Sequence, residues 1–422
     1  MEGLENYIEV SERCVRCGIC KSVCPTYDVV RRENSGPRGR LSIIEARFKG
    51  EDGFKEAYLK SVRECTLCGA CFGSCPNGVN IPELILAARN EIVDREGMSF
   101  GESLVFRNFL NTEKFMPLVL RFASKLQGLV FKGTSVESGL LSRFSVPLMG
   151  GGRLVPELSD IFFLDRPHIK ELSSGKGKKR GTGRVGFYVG CGINYFLPDI
   201  GEATLKALGE SGADVIIPQG QVCCGMPIFS AGDRGTAKKL AQKNLEAFEE
   251  TDLDYIVTSC ATCGHGLRNV FKELLSGESP ELKARVEKFS SKVRDITELL
   301  TRDLPYKAAP KGSNRNTVVT YHDPCHLRRY QGITEEPRKL ILDSGFTYRG
   351  LKHPCRCCGL GGGLGFSNYE LSMDIAMKKA EDVKNTGADV VATACPGCII
   401  QLKDALHKLG VTAKVSHVVE LL

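Results

Sequence analysis

The stretch CVRCGICKSVCP, residues 14–25, decides how the first part of this chain is built. Its cysteines follow the spacing C-x2-C-x2-C-x3-C and end at a proline: Cys14, Cys17, Cys20, Cys24, then Pro25. The stretch CTLCGACFGSCP, residues 65–76, repeats this spacing at Cys65, Cys68, Cys71, Cys75 and Pro76. Three closely spaced thiolates wrap one corner of an iron–sulfur cubane, and the proline turns the chain away. The two runs therefore predict two 4Fe–4S clusters.

Two such runs also predict crossed ligation, because each fourth cysteine of a double run ligates the other cluster. One cluster is expected on Cys14, Cys17, Cys20 and Cys75, and the other on Cys65, Cys68, Cys71 and Cys24. Structural zinc is the alternative, but zinc sites favour separated C-x2-C pairs. Arg38 and Arg40 lie between the runs. We expect them to place positive charge near the clusters and raise their potentials, with solvated surface positions as the alternative.

A different cysteine pattern occurs twice in the second half of the chain. The first set is Cys191, Cys223, Cys224, Cys260 and Cys263; the second is Cys325, Cys357, Cys358, Cys395 and Cys398. Corresponding cysteines lie 134 or 135 residues apart, which indicates two copies of one unit. Five thiolates exceed the need of one zinc ion or one ordinary cubane, so each set predicts an unusual cluster, with zinc on four of the five as the alternative. Cys355 belongs to neither set and is expected to be an inert neighbour or a substitute ligand.

Each copy alternates short β-rich runs with helical stretches, which favours parallel sheets of the α/β class. The predicted strands are 185–189, 215–218 and 255–258 in the first copy, and 317–321 and 390–393 in the second. The predicted helices are 233–250 and 369–385. The cysteines then fall at strand ends and in the following loops, where open α/β sheets place their ligand sites.

We expect four segments along the chain. Residues 1–94 form a helical domain with the two cysteine runs, including helices at 41–60 and at 81–94, the latter capped by Asn80. Residues 95–183 form a helical connector and linker, with helices expected around 104–110 and 118–126 and an exposed linker at 173–183. The connector helices either pack on their own domain or dock a partner subunit. The two copies of the second pattern occupy residues 184–312 and 313–422.

The composition indicates a globular protein of the reducing cytoplasm. The first ten residues lack the features of a secretory signal, and the apolar stretch 115–131 is interrupted by Pro117, Arg121 and Lys125. A cysteine-rich chain of this kind holds metals more readily than disulfides. The formal charge of +7 falls to about +3 once two clusters of charge −2 are included, so no nucleic-acid partner is predicted.

Several strings carry a resemblance to a known family. The tandem five-cysteine pattern, with Cys-Cys-Gly at 223–225 and 357–359, resembles the cysteine-rich CCG domain of heterodisulfide reductase subunits. The same domain occurs in iron–sulfur subunits of glycolate oxidase, D-lactate dehydrogenase and anaerobic glycerol-3-phosphate dehydrogenase. The strings at 36–40, 322–327, 394–398 and 416–422 favour the glycolate oxidase and lactate dehydrogenase branch. With the N-terminal double ferredoxin-type module, the resemblance covers all but about residues 95–183.

This resemblance implies an electron-transfer subunit with two tandem α/β CCG domains after a ferredoxin-type domain. A partner FAD subunit would oxidise glycolate, D-lactate or a similar 2-hydroxy acid, and electrons would pass through the clusters to quinone or another carrier. The protein would then be cytoplasmic or peripheral on the cytoplasmic membrane. The alternative is a heterodisulfide-reductase-type subunit, in which a non-cubane 4Fe–4S cluster on five cysteines cleaves a disulfide.

Glycines and histidines near the cysteines complete the predicted sites. Gly225 and Gly359 are expected to let backbone N–H groups approach the cluster sulfurs and so tune the potentials of the clusters. Gly359 begins a glycine-rich run that extends to residue 365. His265, His322 and His326 are expected to pack around the clusters. His322 or His326 would pass protons if the nearby site reduced a quinone or a disulfide.

Overall fold

The computed structural model describes residues 12–98, 103, 115–134, 139–143, 152–172, 183–304, 306–307 and 315–422. A helical N-terminal domain is followed by a connector and by two parallel α/β units. The predicted fold class is therefore confirmed. The predicted helix at 104–110 and most of the predicted linker at 173–183 lie outside the described residues.

The N-terminal domain is built from short helices around its two cysteine runs. They are α1 (Ile19–Ser22), α2 (Pro25–Val30), α3 (Pro37–Phe48), α4 (Lys55–Arg63), α5 (Ala70–Gly73) and α6 (Ile81–Glu96). The helix predicted over 41–60 is wrong as one element, because the chain turns at Gly50, whose φ is +80°, before α4 begins. Asn80 caps α6 as predicted, its side chain accepting a hydrogen bond from the Glu83 N–H at 3.4 Å.

The connector is only partly helical. Helix α7 (Phe115–Val130) confirms the predicted helix around 118–126, and α8 (Pro167–Leu172) follows later. Between them lies an antiparallel sheet of β1 (Phe131–Gly133), β2 (Gly139–Ser142) and β3 (Leu154–Pro156), which the prediction of a helical connector missed. Strands of three or four residues are too short to show a period-two pattern in the sequence. The Leu154 N–H donates to Asp404 Oδ1 at 3.0 Å, which ties β3 to the last α/β unit.

Each α/β unit contains a parallel sheet of four strands. The first has β4 (Arg184–Phe187), β5 (Asp214–Ile216), β6 (Tyr255–Thr258) and β7 (Val293–Asp295). The second has β8 (Val318–Tyr321), β9 (Thr347–Tyr348), β10 (Val390–Thr393) and β11 (Lys414–His417). The orders β5-β4-β6-β7 and β9-β8-β10-β11 are the same when strands are counted within each unit. The repeat in the sequence is thus a repeat in topology, and we call the units repeat 1 and repeat 2.

Helices cover both sheets. Repeat 1 has α9 (Gly190–Tyr195), α10 (Pro198–Glu210), α11 (Met226–Ala231), α12 (Arg234–Glu249), α13 (Ala261–His265), α14 (Phe271–Leu275), α15 (Pro280–Lys292) and α16 (Ile296–Glu298). Repeat 2 has α17 (Cys325–Gln331), α18 (Glu335–Asp343), α19 (Leu364–Ser367), α20 (Tyr369–Thr386) and α21 (Pro396–Lys408), and then a 3-10 turn, Val418–Leu421. The predicted helices 233–250 and 369–385 correspond to α12 and α20.

The two repeats share one hydrophobic core. Val185 and Phe187 of β4 belong to the same buried cluster as Val319 and Tyr321 of β8. The segment after the last strand of each repeat also crosses to the other one. Residues 418–421 pack on α10 of repeat 1, and residues 296–303 pack on α18 of repeat 2. Each repeat therefore completes the packing of the other.

Within the described residues, no helix is long and apolar enough to cross a membrane.

Candidate iron–sulfur sites

The two N-terminal cysteine runs adopt the same loop. Arg16 and Leu67, each two residues after the first cysteine of its run, have φ values of 56° and 53°. Gly18 and Gly69 follow with φ values of 83° and 73°. Left-handed turns of this kind aim successive backbone N–H groups inward, toward an anionic centre.

The cysteines of these loops line two separate cavities, and the fourth cysteine of each run lies with the other run. One cavity, site 1, is lined by Cys14, Cys17, Cys20 and Cys75, with Cys71 at its edge. The other, site 2, is lined by Cys24, Cys65, Cys68 and Cys71. These are the two crossed sets expected from the sequence.

The two arginines that were predicted near the clusters both lie beside these cavities, but they differ in their exposure and in their hydrogen-bond partners. Arg38 lines site 1, is 30% exposed, and donates from its Nε at 2.7 Å to the Glu33 carboxylate, which it shares with Lys21. Arg40 is buried at site 2, and its donors reach the carbonyls of Ser61 and Glu64, the Thr26 hydroxyl and Cys24 Sγ at 3.8 Å. The Arg40 charge therefore acts on site 2.

The five cysteines of repeat 2, site 3, form one connected group of thiols. Cys325 contacts Cys357, whose neighbour Cys358 lies 3.6 Å from Cys398, measured between the sulfurs. Cys398 in turn contacts Cys395. Cys325 begins α17 just after β8, while Cys395 caps α21 just after β10.

Repeat 1 places its five cysteines, site 4, in the same way. Cys191 contacts Cys223, Cys224 contacts Cys263, and Cys263 contacts Cys260. Gly225 and Gly359 occupy equivalent left-handed positions with φ values of 76° and 97°. Their N–H groups donate to Cys223 and Cys357, the latter at 3.4 Å from N to Sγ. The structure thus places the N–H groups of both predicted glycines on cysteine sulfurs of sites 3 and 4.

The four sites follow one another without a gap. The Cys68 thiol of site 2 contacts the Cys357 thiol of site 3. The Cys395 thiol of site 3 contacts the Cys260 thiol of site 4. Sites 1 and 2 share the edge at Cys71. The order in space is therefore site 1, site 2, site 3, site 4, so repeat 2 comes before repeat 1.

The pKa shifts of these thiols indicate which kind of metal centre the sites can hold. Burial and the neighbouring thiols of Cys65 and Cys68 raise the pKa of Cys71 well above its ordinary value. In site 4, the hydrogen bond from Cys223 lowers the pKa of Cys224 well below the ordinary value, while that from Cys224 raises the pKa of Cys263 well above it. So many buried thiols cannot all ionise beside one another by themselves. A cationic iron–sulfur core supplies the charge that lets them do so, and the donor set fits one.

Comparison with known proteins agrees with this interpretation of the sites. The cysteine-rich domain model, CCG, matches residues 185–268 and 319–403, and the 4Fe-4S dicluster domain model matches residues 10–79. The probable glycolate oxidase iron-sulfur subunit of Bacillus subtilis is 32% identical over 97% of this chain and 92% of its own length. The chain belongs to the family of CCG-domain iron–sulfur subunits.

Other relatives of this CCG-domain subunit have different names. One subunit of the fumarate reductase (CoM/CoB) of Methanothermobacter marburgensis is 31% identical over 97% of the chain and 71% of its own length. Lactate utilization protein A of Bacillus cereus is 32% identical over 57% of the chain and 98% of its own length. The CCG-domain subunit is thus an iron–sulfur electron-transfer component of an oxidoreductase.

Three histidines of the CCG-domain subunit lie around site 3, as neutral imidazoles. A ring nitrogen of His322 and the thiols of Cys358 and Cys398 lie within 4.8 Å of one another. Burial lowers the pKa of His322 to about 3, and neither ring nitrogen has a hydrogen-bond partner among the described residues. His326 Nδ1 lies 3.0 Å from Thr262 Oγ1, and its ring stacks on His265 with the centroids 5.2 Å apart. His322 faces the thiols most directly.

Cys355 lies next to the CCG-domain site without joining its thiols. The Cys355 carbonyl accepts a hydrogen bond from Arg329 Nη2 at 2.7 Å, and Arg329 Nη1 donates to the Cys68 carbonyl at 3.1 Å. Tyr330 donates from its hydroxyl to the Leu67 carbonyl at 2.8 Å. Cys355 thus belongs to the contact between repeat 2 and the N-terminal domain, and its role as inert neighbour or substitute ligand stays a prediction.

Sequence reasoning missed two residues that organise the CCG-domain subunit. Buried Arg89 of α6 donates to the Cys65 carbonyl at 2.7 Å, to Ser230 of repeat 1 at 2.5 Å and to Gly362 of repeat 2 at 2.7 Å. Nothing in a single sequence distinguishes this arginine from a surface one. The second is Asp295, whose Oδ1 accepts from the Thr297 N–H at 2.8 Å at the start of α16. It is equivalent to His417 when VRDITELL at 293–300 is aligned with VSHVVELL at 415–422. That similarity was visible in the sequence.

Proposed function

We propose that this subunit relays electrons from a partner FAD protein, which oxidises a 2-hydroxy acid such as glycolate or D-lactate, toward quinone or another carrier. The single observation that carries the proposal is the unbroken succession of thiols from site 1 to site 4. A chain that only bound metals for stability would not need its four sites in contact. A relay does, because electrons pass from one centre to the next.

The proposed ligands follow from the cavities. Site 1 would hold a 4Fe–4S cluster on Cys14, Cys17, Cys20 and Cys75, and site 2 one on Cys24, Cys65, Cys68 and Cys71. Sites 3 and 4 would each hold a further cluster on the five cysteines of their set. This cluster would be of the non-cubane 4Fe–4S type, and a zinc ion is the alternative to it. Gly225 and Gly359 would tune them by donating to sulfur.

The exposed end of the succession indicates where the partner exchanges electrons. Cys17 of site 1 is exposed, whereas the site 2 cysteines are buried. Val15 and Ile19, on either side of Cys17, are exposed apolar residues, and Arg16 is exposed beside them. Weak electron-transfer contacts need only a small surface of this kind. We place the FAD partner there.

The electron balance suits this order. Oxidation of a 2-hydroxy acid to the 2-oxo acid releases two electrons and two protons, which the FAD of the partner would accept. The clusters then carry one electron at a time, and the protons leave from the flavoprotein. The iron–sulfur chain would need no substrate pocket of its own.

The test uses the native complex, purified without oxygen. Glycolate, D-lactate and glycerol 3-phosphate are added separately, and the visible cluster absorption and EPR spectra are recorded. Rapid bleaching by a hydroxy acid that depends on the bound flavoprotein is the expected result. Bleaching by none of the hydroxy acids in an otherwise dithionite-reducible complex would reject the proposal.

A second function is favoured by one observation, the complete five-thiol set at site 3 beside His322 nitrogens that have no partner among the described residues. It is disulfide reduction at a CCG site, as in the heterodisulfide reductase relatives suggested by the sequence. In that reaction two electrons from the clusters and two protons convert one disulfide to two thiols. A new EPR signal on adding a dithiol, with no response to hydroxy acids, would favour this function over the relay.

A further inference from the structure

Equivalent faces of the two repeats are covered by different parts of the chain. On repeat 2, the N-terminal domain covers Cys325 and Cys357 with Cys68 and Ala70. On repeat 1, the equivalent face at Cys191 is covered by helix α7 and the segment before α8. Met116 and Phe162 pack there on Tyr195, whose ring lies edge-on to Phe162 at 4.8 Å between centroids. On the proposed function, electrons would enter repeat 2 through the first of these faces, so the second would be the matching route out of repeat 1.

Helix α7 has one face toward the protein and one toward solvent. On the inner face Met116 and Ser124 are buried, and Gln127 exchanges two hydrogen bonds of 3.0 Å with the backbone of Leu158. On the outer face Leu118, Phe122 and Leu129 are 65%, 68% and 70% exposed. At 100° per residue these three side chains fall within about 40° of one another, so they form one apolar stripe.

The charged residues of α7 and β1 have one sign. Residues 115–133 contain Arg121, Lys125 and Lys132 and no aspartate or glutamate. Lys125 is exposed and lies at the edge of the stripe, on the side of Arg121. Arg121 is ion-paired with Asp165 at 2.6 Å, so Lys125 and Lys132 contribute most of the positive charge toward solvent. Helices with an apolar face bordered by basic side chains typically lie in the interfacial region of membranes that contain anionic lipid.

The composition of this face favours lipid as its occupant. Val119, Leu126 and Val130, which are 36%, 39% and 38% exposed, extend the apolar stripe on one side, and Lys125 borders it on the other. On a membrane surface such apolar side chains insert into the acyl boundary while lysines reach the headgroups.

We propose that the outer face of α7 docks this subunit on an anionic membrane surface and brings site 4 to the bilayer. A helix is about 10 Å across, so Cys191 would lie about one helix below the lipid, within reach of a lipid-soluble acceptor. A quinone there takes two electrons from the clusters, one at a time, and two protons from water. The direction of electron flow rests on the proposed function, whereas the docking does not.

The test measures binding of the anaerobic full-length chain to vesicles. Vesicles of phosphatidylcholine alone are compared with vesicles containing one third phosphatidylglycerol, by flotation at low and high salt. We expect binding to the anionic vesicles that weakens with salt, and at least a tenfold loss of affinity, about 1.4 kcal/mol, in the variant with Phe122→Glu and Leu129→Glu. The control is Leu342→Glu, which changes a 54% exposed leucine on α18. Iron content and absorption spectra show that each variant is folded.

The outcomes are distinct. The proposal would be overturned if the native chain did not bind anionic vesicles. It would also be overturned if the double variant bound them as well as the control variant does. The proposal would also be overturned if the double variant still bound vesicles but no longer co-purified with the flavoprotein, since the stripe would then be a protein interface. If vesicle binding behaved as expected but no hydroxy acid reduced the clusters, the proposed function would fall and the docking surface would stand.

Discussion

The thiol of Cys68 in the N-terminal domain lies against the thiol of Cys357 in repeat 2. This contact joins the ferredoxin-type part of the molecule to the CCG part, and on the proposed function electrons would pass between the two parts here. Its geometry is held by backbone packing on both sides. The glycine-rich run after Cys358 lies directly on the carbonyls of Cys65 and Thr66.

Gly362→Ala is expected to disturb this contact. A Cβ at Gly362 would lie 2.3 Å from the Cys65 carbonyl oxygen, so the two domains must move apart. Stopped-flow reduction should show sites 1 and 2 reduced at the native rate and sites 3 and 4 reduced more slowly.

The matched control is Gly363→Ala. Gly363 has the same left-handed backbone, with φ of +79°, but an added Cβ meets no described atom within 4 Å. It should lose about 1–2 kcal/mol of stability from backbone strain and keep the native transfer rate. Equal transfer rates in the two variants would contradict the role of this packing.

Arg89→Met is expected to loosen all three parts of the molecule together. Arg89 donates to carbonyls of the N-terminal domain and both repeats, so its loss leaves several buried acceptors unpaired. The free energy of unfolding should fall by about 3 kcal/mol or more. Thermal denaturation and limited proteolysis under anaerobic conditions measure the change.

Arg95→Met provides the comparison, since Arg95 lies on the same helix with its side chain 65% exposed and paired to Glu91 at 3.2 Å. This exposed pair contributes about 1 kcal/mol at most. If both variants melted alike, Arg89 would not be the residue that holds the domains together.

Arg40→Met is expected to lower the midpoint potential of the cluster in site 2. The buried guanidinium stabilises the more negative, reduced state of the cluster, and its removal should shift the potential by about 60 mV, the one-electron equivalent of about 1.4 kcal/mol. A redox titration followed by EPR measures the shift. Arg38→Met should change site 1 less, because Arg38 is 30% exposed and solvent screens its charge; a larger shift for Arg38→Met would refute this account.

The Asp295 carboxyl gives a pH-dependent prediction. Burial raises the pKa of Asp295 to about 7, far above its value in the unfolded chain. Between pH 4 and 7 the unfolded chain therefore binds fewer protons than the native one, and Asp295 costs stability as the pH rises. Asp295→Asn removes this cost but keeps the Oδ1 that accepts from the Thr297 N–H at 2.8 Å.

The melting temperature of Asp295→Asn should thus exceed that of the native chain by an amount that grows from pH 4 to 7 and is constant above. The slope is at most about 1.4 kcal/mol per pH unit. A difference independent of pH would show that Asp295 is ionised throughout.

The sequence predicted the parts of this molecule that repeat or follow a spacing rule. The strands Tyr255–Thr258 and Val390–Thr393 are observed as predicted, because short apolar runs before a cysteine mark the strand ends. The crossed grouping of cysteines that line the two cavities could be predicted because double runs of this spacing exchange their fourth cysteine.

Contacts between distant surfaces could not be predicted in this way. The meeting of Cys68 with Cys357, and the order that puts repeat 2 before repeat 1, depend on how whole domains pack. The sheet β1–β3 was missed because its strands are too short for a pattern. Arg40 was predicted near a cluster, but its burial and its hydrogen bonds to the Ser61 and Glu64 carbonyls depend on the fold.

The last segment of each repeat packs on the other repeat, and this affects the order in which the protein folds during synthesis. Residues 418–421 are synthesised long after α10, the helix of repeat 1 that they cover. Repeat 1 therefore stays open on that side until translation of repeat 2 is complete, and its neighbour contact at Cys260 waits for Cys395. On the proposed function, a cluster at site 4 would be inserted most readily in this interval, before repeat 2 closes over it.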